Sequence, residues 1–236
     1  LETRKEVPPA AVAHPTAAVA APVSAPAVRV PSMMGELVPH SSLRKQIAER
    51  MVNSMHTSPH VLTVMEADLS KVLAHRAANK ASFAEQGINL TLTAYFCSAI
   101  VSGLRARPDV NASWTDEGIQ HYNDINLGMA TSLGEQGLIV PVIKNAGLLS
   151  LEGLAQKIND LSARARAKTL LPDEVKGGTI TLTNHGSGGS LFASPIIFQP
   201  QAVILGTGMM QKRPVVITDA SGNEAIAIRP MIYLSL

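Results

Sequence analysis

GGTITLTNHGSGGS, residues 177–190, decides how the rest of the chain reads. Residues 179–183 alternate β-branched and apolar side chains, the pattern of a strand within a sheet. A glycine-rich loop follows directly. Glycines let a backbone approach a ligand closely, and Thr183, Asn184 and Ser187 bring hydroxyl and amide donors to the strand's end. Donors so placed can stabilise a developing oxyanion. A polar turn capped by Thr and Asn accounts for the same letters without any chemistry. No Gly-Lys-Ser/Thr follows, which argues against a P-loop. His185 has the chemistry of a general base. No Ser or Cys in an elbow or triad context accompanies it, so a place lining the loop or a channel is the better reading.

Two more stretches flank this one with the same specificity: GLIVPVI at 137–143 and PIIFQPQAVILG at 195–206. Around them helix and strand signals mix. Ser41 or Ser42 can cap a helix bearing Leu43, Ile47 and Met51 on one face, closed by Pro59. Residues 61–66 read as a strand leading to Asp68, an N-cap for a helix with Leu69, Val72 and Leu73. Residues 91–106 form an apolar helix with Leu92, Phe96, Ile100 and Leu104 inward, ended by Pro108. Residues 111–114 and 119–122 flank Asp116-Glu117-Gly118, a hairpin turn. Residues 125–130 and 138–143 are apolar strands, and Ser150 caps a helix with Leu154, Ile158 and Leu161 along one stripe. Residues 202–205 are a further strand, and 215–218 and 225–236 flank a second hairpin turn at 219–223. The expected fold is an α/β sandwich: a mixed sheet with helices on one face.

Composition bounds the function. Hydrophobic residues make up 46% of the 236 and charged residues 16%, which suits a buried core. A net charge of +2 gives no electrostatic footprint for a nucleic acid. No run reaches the roughly 18 apolar residues a bilayer span needs, and residues 1–6 carry charges of both signs, unlike a signal peptide. The single cysteine, Cys97, cannot form an internal disulfide and implies a reducing compartment. In the run LTAYFCSAIV it reads as a small buried hydrophobe. Residues 7–31 are almost wholly Ala, Pro and Val, a stiff tether that cannot bury enough to fold. Residues 1–37 are therefore expected to be a linker and 38–236 the folded domain. His14, His40, His56, His60, His75 and His121 form no metal-ligand spacing. His56 and His60 sit four apart but straddle Ser58-Pro59, where a helix breaks, so no metal site is expected.

Taken together these stretches resemble the catalytic domain of the dihydrolipoamide acyltransferases. The opening helix RKQIAERM (44–51), then EQGLIVPVI (135–143), GGTITLTNHG (177–186) and PIIFQPQAVILG (195–206) follow in that family's order. The Ala/Pro-rich lead is similar to its swinging linker. The resemblance implies a chloramphenicol acetyltransferase-like sandwich, assembled as a homotrimer with active sites between subunits, or as a larger cubic or dodecahedral core. It implies transfer of an acyl group from a dihydrolipoyl arm to coenzyme A within a 2-oxo acid dehydrogenase complex. The lipoyl group would sit on a separate lipoyl domain, and a decarboxylase and dihydrolipoamide dehydrogenase would be partners. The site would lie in the cytoplasm of a bacterium or in the mitochondrial matrix. By position, Thr183 matches the oxyanion donor. Arg76, Thr91, Ser132, Ser162, Asn184, Ser187 and Gly208 match the coenzyme A channel. Arg76 suits phosphate by its guanidinium; without the resemblance, a solvated helix-face charge is the better reading of it. The stretch 189–197 looks slightly closer to succinyl-transferring relatives, with acetyl and branched-chain versions open.

The family pattern Asp-His-Arg-x-x-Asp-Gly follows an apolar strand. Residues 231–236 look like that strand, yet no histidine here has Asp-Gly at the fourth and fifth positions after it. The chain is accordingly expected to stop short of that segment, and to be inactive alone. Two rival functions stay open: a non-catalytic scaffold core, and an acyltransferase for a free small acceptor, against which the tether argues.

Overall fold

The computed structural model describes residues 35–134 and 137–236. The tether at 7–31 and Glu135-Gln136 lie outside the described residues. The folded unit, His40–Leu236, is a mixed sheet with helices.

Helix α1 (Ser42–Thr57) starts where the Ser41 hydroxyl accepts the Arg44 N–H at 3.2 Å. Strand β1 (Val64–Asp68) leads into α2 (Ser70–Glu85), and α3 (Leu92–Ala106) follows. The hairpin β2 (Ala112–Thr115) and β3 (Gly118–His121) stands as its own two-stranded ladder. Then come β4 (Leu127–Met129), β5 (Thr131–Ser132), β6 (Leu138–Ile139), β7 (Val142–Ile143) and α4 (Leu151–Ala167). Strands β8 (Ile180–Asn184), β9 (Ile204–Thr207), β10 (Gln211–Thr218) and β11 (Glu224–Ser235) complete the chain.

The main sheet runs β1-β11-β9-β8-β4-β7, with β10 paired to β11 beyond this path. β8 is parallel to both β4 and β9, whereas the outer pairings are antiparallel. Residues 138–143 read as one strand but form two, because Pro141 has no N–H to continue a ladder. β6 pairs with β5 in a small ladder and β7 joins the main sheet.

Side chains alternate across β8. Ile180 and Leu182 enter the core with Leu127, Ile143 and Ile232. That core is closed by Phe96, Cys97, Ile100 and Leu104 of α3 and by Leu154, Ile158 and Leu161 of α4, with Val72 and Leu73 of α2 packed against it. The apolar residues of α3 and α4 recur at three- and four-residue spacing, so each helix buries one stripe. The opposite face of β8 carries Thr181 and Thr183. There the Thr181 hydroxyl donates to Gln201 Oε1 at 2.7 Å, and Gln201 Nε2 donates to the Gly178 carbonyl at 3.0 Å. The segment after β8 is tied to α1. The Ser54 hydroxyl donates to the Ile197 carbonyl at 2.5 Å, and Gln199 Nε2 donates to the Ser58 hydroxyl at 2.7 Å. His60 joins the same clamp: its Nε2 accepts the Ile197 N–H at 2.9 Å and its Nδ1 lies 2.8 Å from the Ser58 carbonyl. No helix among the described residues is long and apolar enough to cross a membrane.

Candidate active site

Parallel strands deliver their loops to one end, and ligands in open α/β sheets gather outside those carboxyl ends. β4 and β8 are such a pair, and a cleft of about 480 Å³ opens beside their ends. Its walls are Met129 to Ser132 after β4, Leu182, Asn184 and Ser187 at the end of β8, Thr91 and Thr93 at the start of α3, and one stripe of α4.

Each wall has a local cause. Thr91 is the N-cap of α3 but makes no side-chain cap bond, and its hydroxyl is enclosed without a partner. The first N–H groups of a helix have no i−4 acceptor within it. At this end of α3 the Ala94 N–H turns back to the Thr91 carbonyl at 3.2 Å, and no side chain caps the others. Asn159 of α4 holds the chain ahead of α3 in place: its Oδ1 accepts the Asn89 N–H at 2.7 Å and its Nδ2 donates to the Asn89 carbonyl at 3.0 Å. The loop after β8 bonds to itself. Asn184 Oδ1 accepts the Ser187 N–H at 3.3 Å, and the Ser187 hydroxyl donates back to the Asn184 carbonyl at 3.4 Å.

Five residues singled out in the sequence, Thr91, Ser132, Ser162, Asn184 and Ser187, meet in this cleft from four separate elements. Three others stand apart from it. Arg76 is half-buried on α2, where its Nε donates to the Leu90 carbonyl at 2.7 Å and braces the approach to α3. Gly208 is buried, and a Cβ there would collide with the Leu191 carbonyl oxygen. It permits a close backbone crossing. Thr183 is half-buried at the tip of β8, opposite Gly206 in the parallel register. Alternation turns it to the far face from Leu182, and among the described residues its hydroxyl makes no hydrogen bond.

His185 shares the Thr183 side of the sheet. Its ring rests on Gly206, near Ser235, and both ring nitrogens are enclosed without a hydrogen-bond partner. Burial pushes its pKa below the ordinary histidine value, favouring the neutral ring. The Ser235 hydroxyl is likewise buried and unpaired. Asn159 and Arg166 are cleft residues the sequence reading did not single out. The signal for them is the helical repeat, since Asn159 lies three residues before Ser162 on α4 and Arg166 four after it.

A family model of the 2-oxoacid dehydrogenases acyltransferase catalytic domain matches residues 34–236. A relative from Mycobacterium bovis, the dihydrolipoyllysine-residue acetyltransferase component of a pyruvate dehydrogenase complex, is 45% identical over 199 residues, covering 83% of this chain and 36% of the relative. The chain spans less than half the length of the curated relatives it matches. Among solved structures, a probable dihydrolipoamide acetyltransferase from Listeria monocytogenes superposes with a TM-score of 0.80 at 36% identity, covering 86% of this chain and 84% of that one. The cubic core of a pyruvate dehydrogenase multienzyme complex gives 0.81 at 30% identity, covering 91% and 86%.

Proposed function

This chain belongs to the 2-oxoacid dehydrogenase acyltransferase catalytic-domain family, and from that premise we propose that it transfers an acyl group from a dihydrolipoyl arm to coenzyme A. The observation that carries this is the convergence of Thr91, Ser132, Ser162, Asn184 and Ser187 in one cleft beside the tip of the strand that bears Thr183.

In the proposed reaction the coenzyme A sulfur, as thiolate, attacks the carbonyl carbon of the acyl-lipoyl thioester. A new carbon–sulfur bond forms and the carbonyl oxygen takes the negative charge. The Thr183 hydroxyl, free among the described residues, donates a hydrogen bond to that oxyanion. The bond to the lipoyl sulfur then breaks as the carbonyl re-forms, and that sulfur leaves as a thiolate. It takes from solvent a proton equal to the one the coenzyme A thiol gave up to solvent on ionising. The neutral, amide-rich stem of coenzyme A suits the hydroxyl and amide groups that make up most of the cleft's polar wall. His185 is not assigned the base, because it does not line the cleft and both its ring nitrogens are enclosed.

The acetyl name of the relative supports an acetyl group over the succinyl leaning of residues 189–197. The cubic-core likeness supports self-assembly, for which we infer a trimer as the unit. A lipoyl domain, a decarboxylase and dihydrolipoamide dehydrogenase would be its partners, with residues 1–37 as the tether. Lone Cys97 supports a reducing compartment, bacterial cytoplasm or mitochondrial matrix.

The test supplies the full-length protein with acetyl-CoA and free dihydrolipoamide and follows thioester formation on the dithiol. Transfer to dihydrolipoamide but not to small amines or alcohols is expected. No transfer to any acceptor would leave only the scaffold role, and preference for a free hydroxyl acceptor would move the chain to the antibiotic-acetylating class.

A further inference from the structure

Resting on the function just proposed, we propose that Arg166 is the phosphate anchor of the coenzyme cleft. Arg166 is the one charged side chain among the described residues that line this cleft. Its neighbours do not neutralise it. Asp160 and Glu174, the nearby carboxylates of α4 and the following turn, are both held by Arg164, at 2.7 and 2.5 Å. Arg166 has no acidic partner among the described residues.

Position along α4 adds the second half of the case. A helix rises 1.5 Å per residue, so Arg166 lies about 6 Å beyond Ser162 and about 10 Å beyond Asn159. The cleft therefore offers uncharged donors and acceptors along most of α4 and one guanidinium at the helix end. Coenzyme A has the same order of parts: a neutral amide arm, then phosphates. Guanidinium is the donor best matched to phosphate oxygens, because its planar fork makes two parallel hydrogen bonds. Across the cleft, the uncapped start of α3 and the unpartnered Thr91 hydroxyl add donors of the kind an anion draws on.

The plain alternative is a solvated cation in the last turn of α4 that balances the helix dipole. Such a role predicts an effect on stability and none on ligands. The two separate in a binding experiment on the full-length protein, titrated with coenzyme A, 3′-dephospho-coenzyme A and pantetheine at low and high salt.

R166Q is expected to weaken coenzyme A about threefold to tenfold, the range for an exposed charge-assisted contact. Pantetheine, which has no diphosphate, should bind R166Q and the parent alike. R166K should recover part of the loss, as a point charge without the fork. Loss shared by dephospho-coenzyme A places the contact on the diphosphate, and loss confined to coenzyme A places it on the ribose phosphate. Unchanged coenzyme A binding by R166Q overturns the proposal, as does an equal loss of pantetheine. A parent protein that binds neither coenzyme A nor pantetheine sinks the coenzyme reading itself, whatever Arg166 does.

Discussion

Gly208 and Gly103 differ sharply in what surrounds them, and that difference is testable. A Cβ on Gly208 would strike the Leu191 carbonyl oxygen and press on the Tyr233 carbonyl, both backbone atoms that cannot swing away. Gly208→Ala should lose about 1–3 kcal/mol of unfolding free energy, the usual cost of overpacking. Gly103 sits within α3 with nothing inside 4 Å of an added Cβ. Gly103→Ala should gain about 0.4–1 kcal/mol by restricting the unfolded chain. Urea titration of both variants checks the pair, and equal signs would contradict the packing described here. Cys97 offers a second residue-scale test. It is fully buried, and burial pushes its thiol pKa up to about 12. Because the thiolate is the reactive form, a thiol reagent should label the folded protein no faster than it unfolds. Rapid stoichiometric labelling of the native chain would show that α3 is not packed as described.

At the scale of elements, α4 is held by more than its apolar stripe. The Arg164 guanidinium bonds Asp160 within the helix and Glu174 in the turn that leads to β8. The Arg164 contact, followed by the Leu171 N–H, lowers Glu174 from 4.5 to about 2, and Arg164 also lowers Asp160. Carboxylates depressed in the folded state stabilise it above their unfolded pKa, and that contribution disappears as pH falls through the folded value. Stability should therefore decline from about pH 4.5 toward pH 2, and Arg164→Met should flatten that decline. Urea unfolding at several acid pH values checks it; parallel pH profiles would show the network to be inert. Much of this layer is legible in sequence. Ser150 does cap α4, its hydroxyl accepting the Gly153 N–H at 3.1 Å. The apolar spacing of residues 91–106 does give α3. Strand edges are less legible: β1 and β9 each begin later than the apolar runs suggest. Partners across the sheet, not composition, set where a ladder starts. Asp68 bonds the Ser70 N–H at 2.8 Å while α2 begins one residue later than a simple cap would place it.

The whole molecule brings together what the sequence keeps far apart. Thr91, Ser132, Ser162, Asn184 and Ser187 stand on four elements, and no spacing rule links them. Only the resemblance of ordered motifs pointed to them as a set. Arg166 escaped because an exposed arginine on a polar helix face is ordinarily a solvated charge. Its meaning comes from the sheet end beside it. The parallel pair β4 and β8 sets that end, and the pairing of β8 with β9 holds Thr183 opposite Gly206, outside the residues that line the cleft. A coenzyme arm lying along α4 would have to round the tip of β8 to bring its sulfur to that hydroxyl. The most direct measurement compares acetyl transfer from acetyl-CoA to dihydrolipoamide by the full-length protein and its Thr183→Ala and Thr183→Ser variants. The alanine variant should lose about a hundredfold to a thousandfold in kcat, with KM for acetyl-CoA little changed and the serine variant close to the parent. Transfer by Thr183→Ala at the parent rate would show that the hydroxyl at the tip of β8 does not hold the oxyanion.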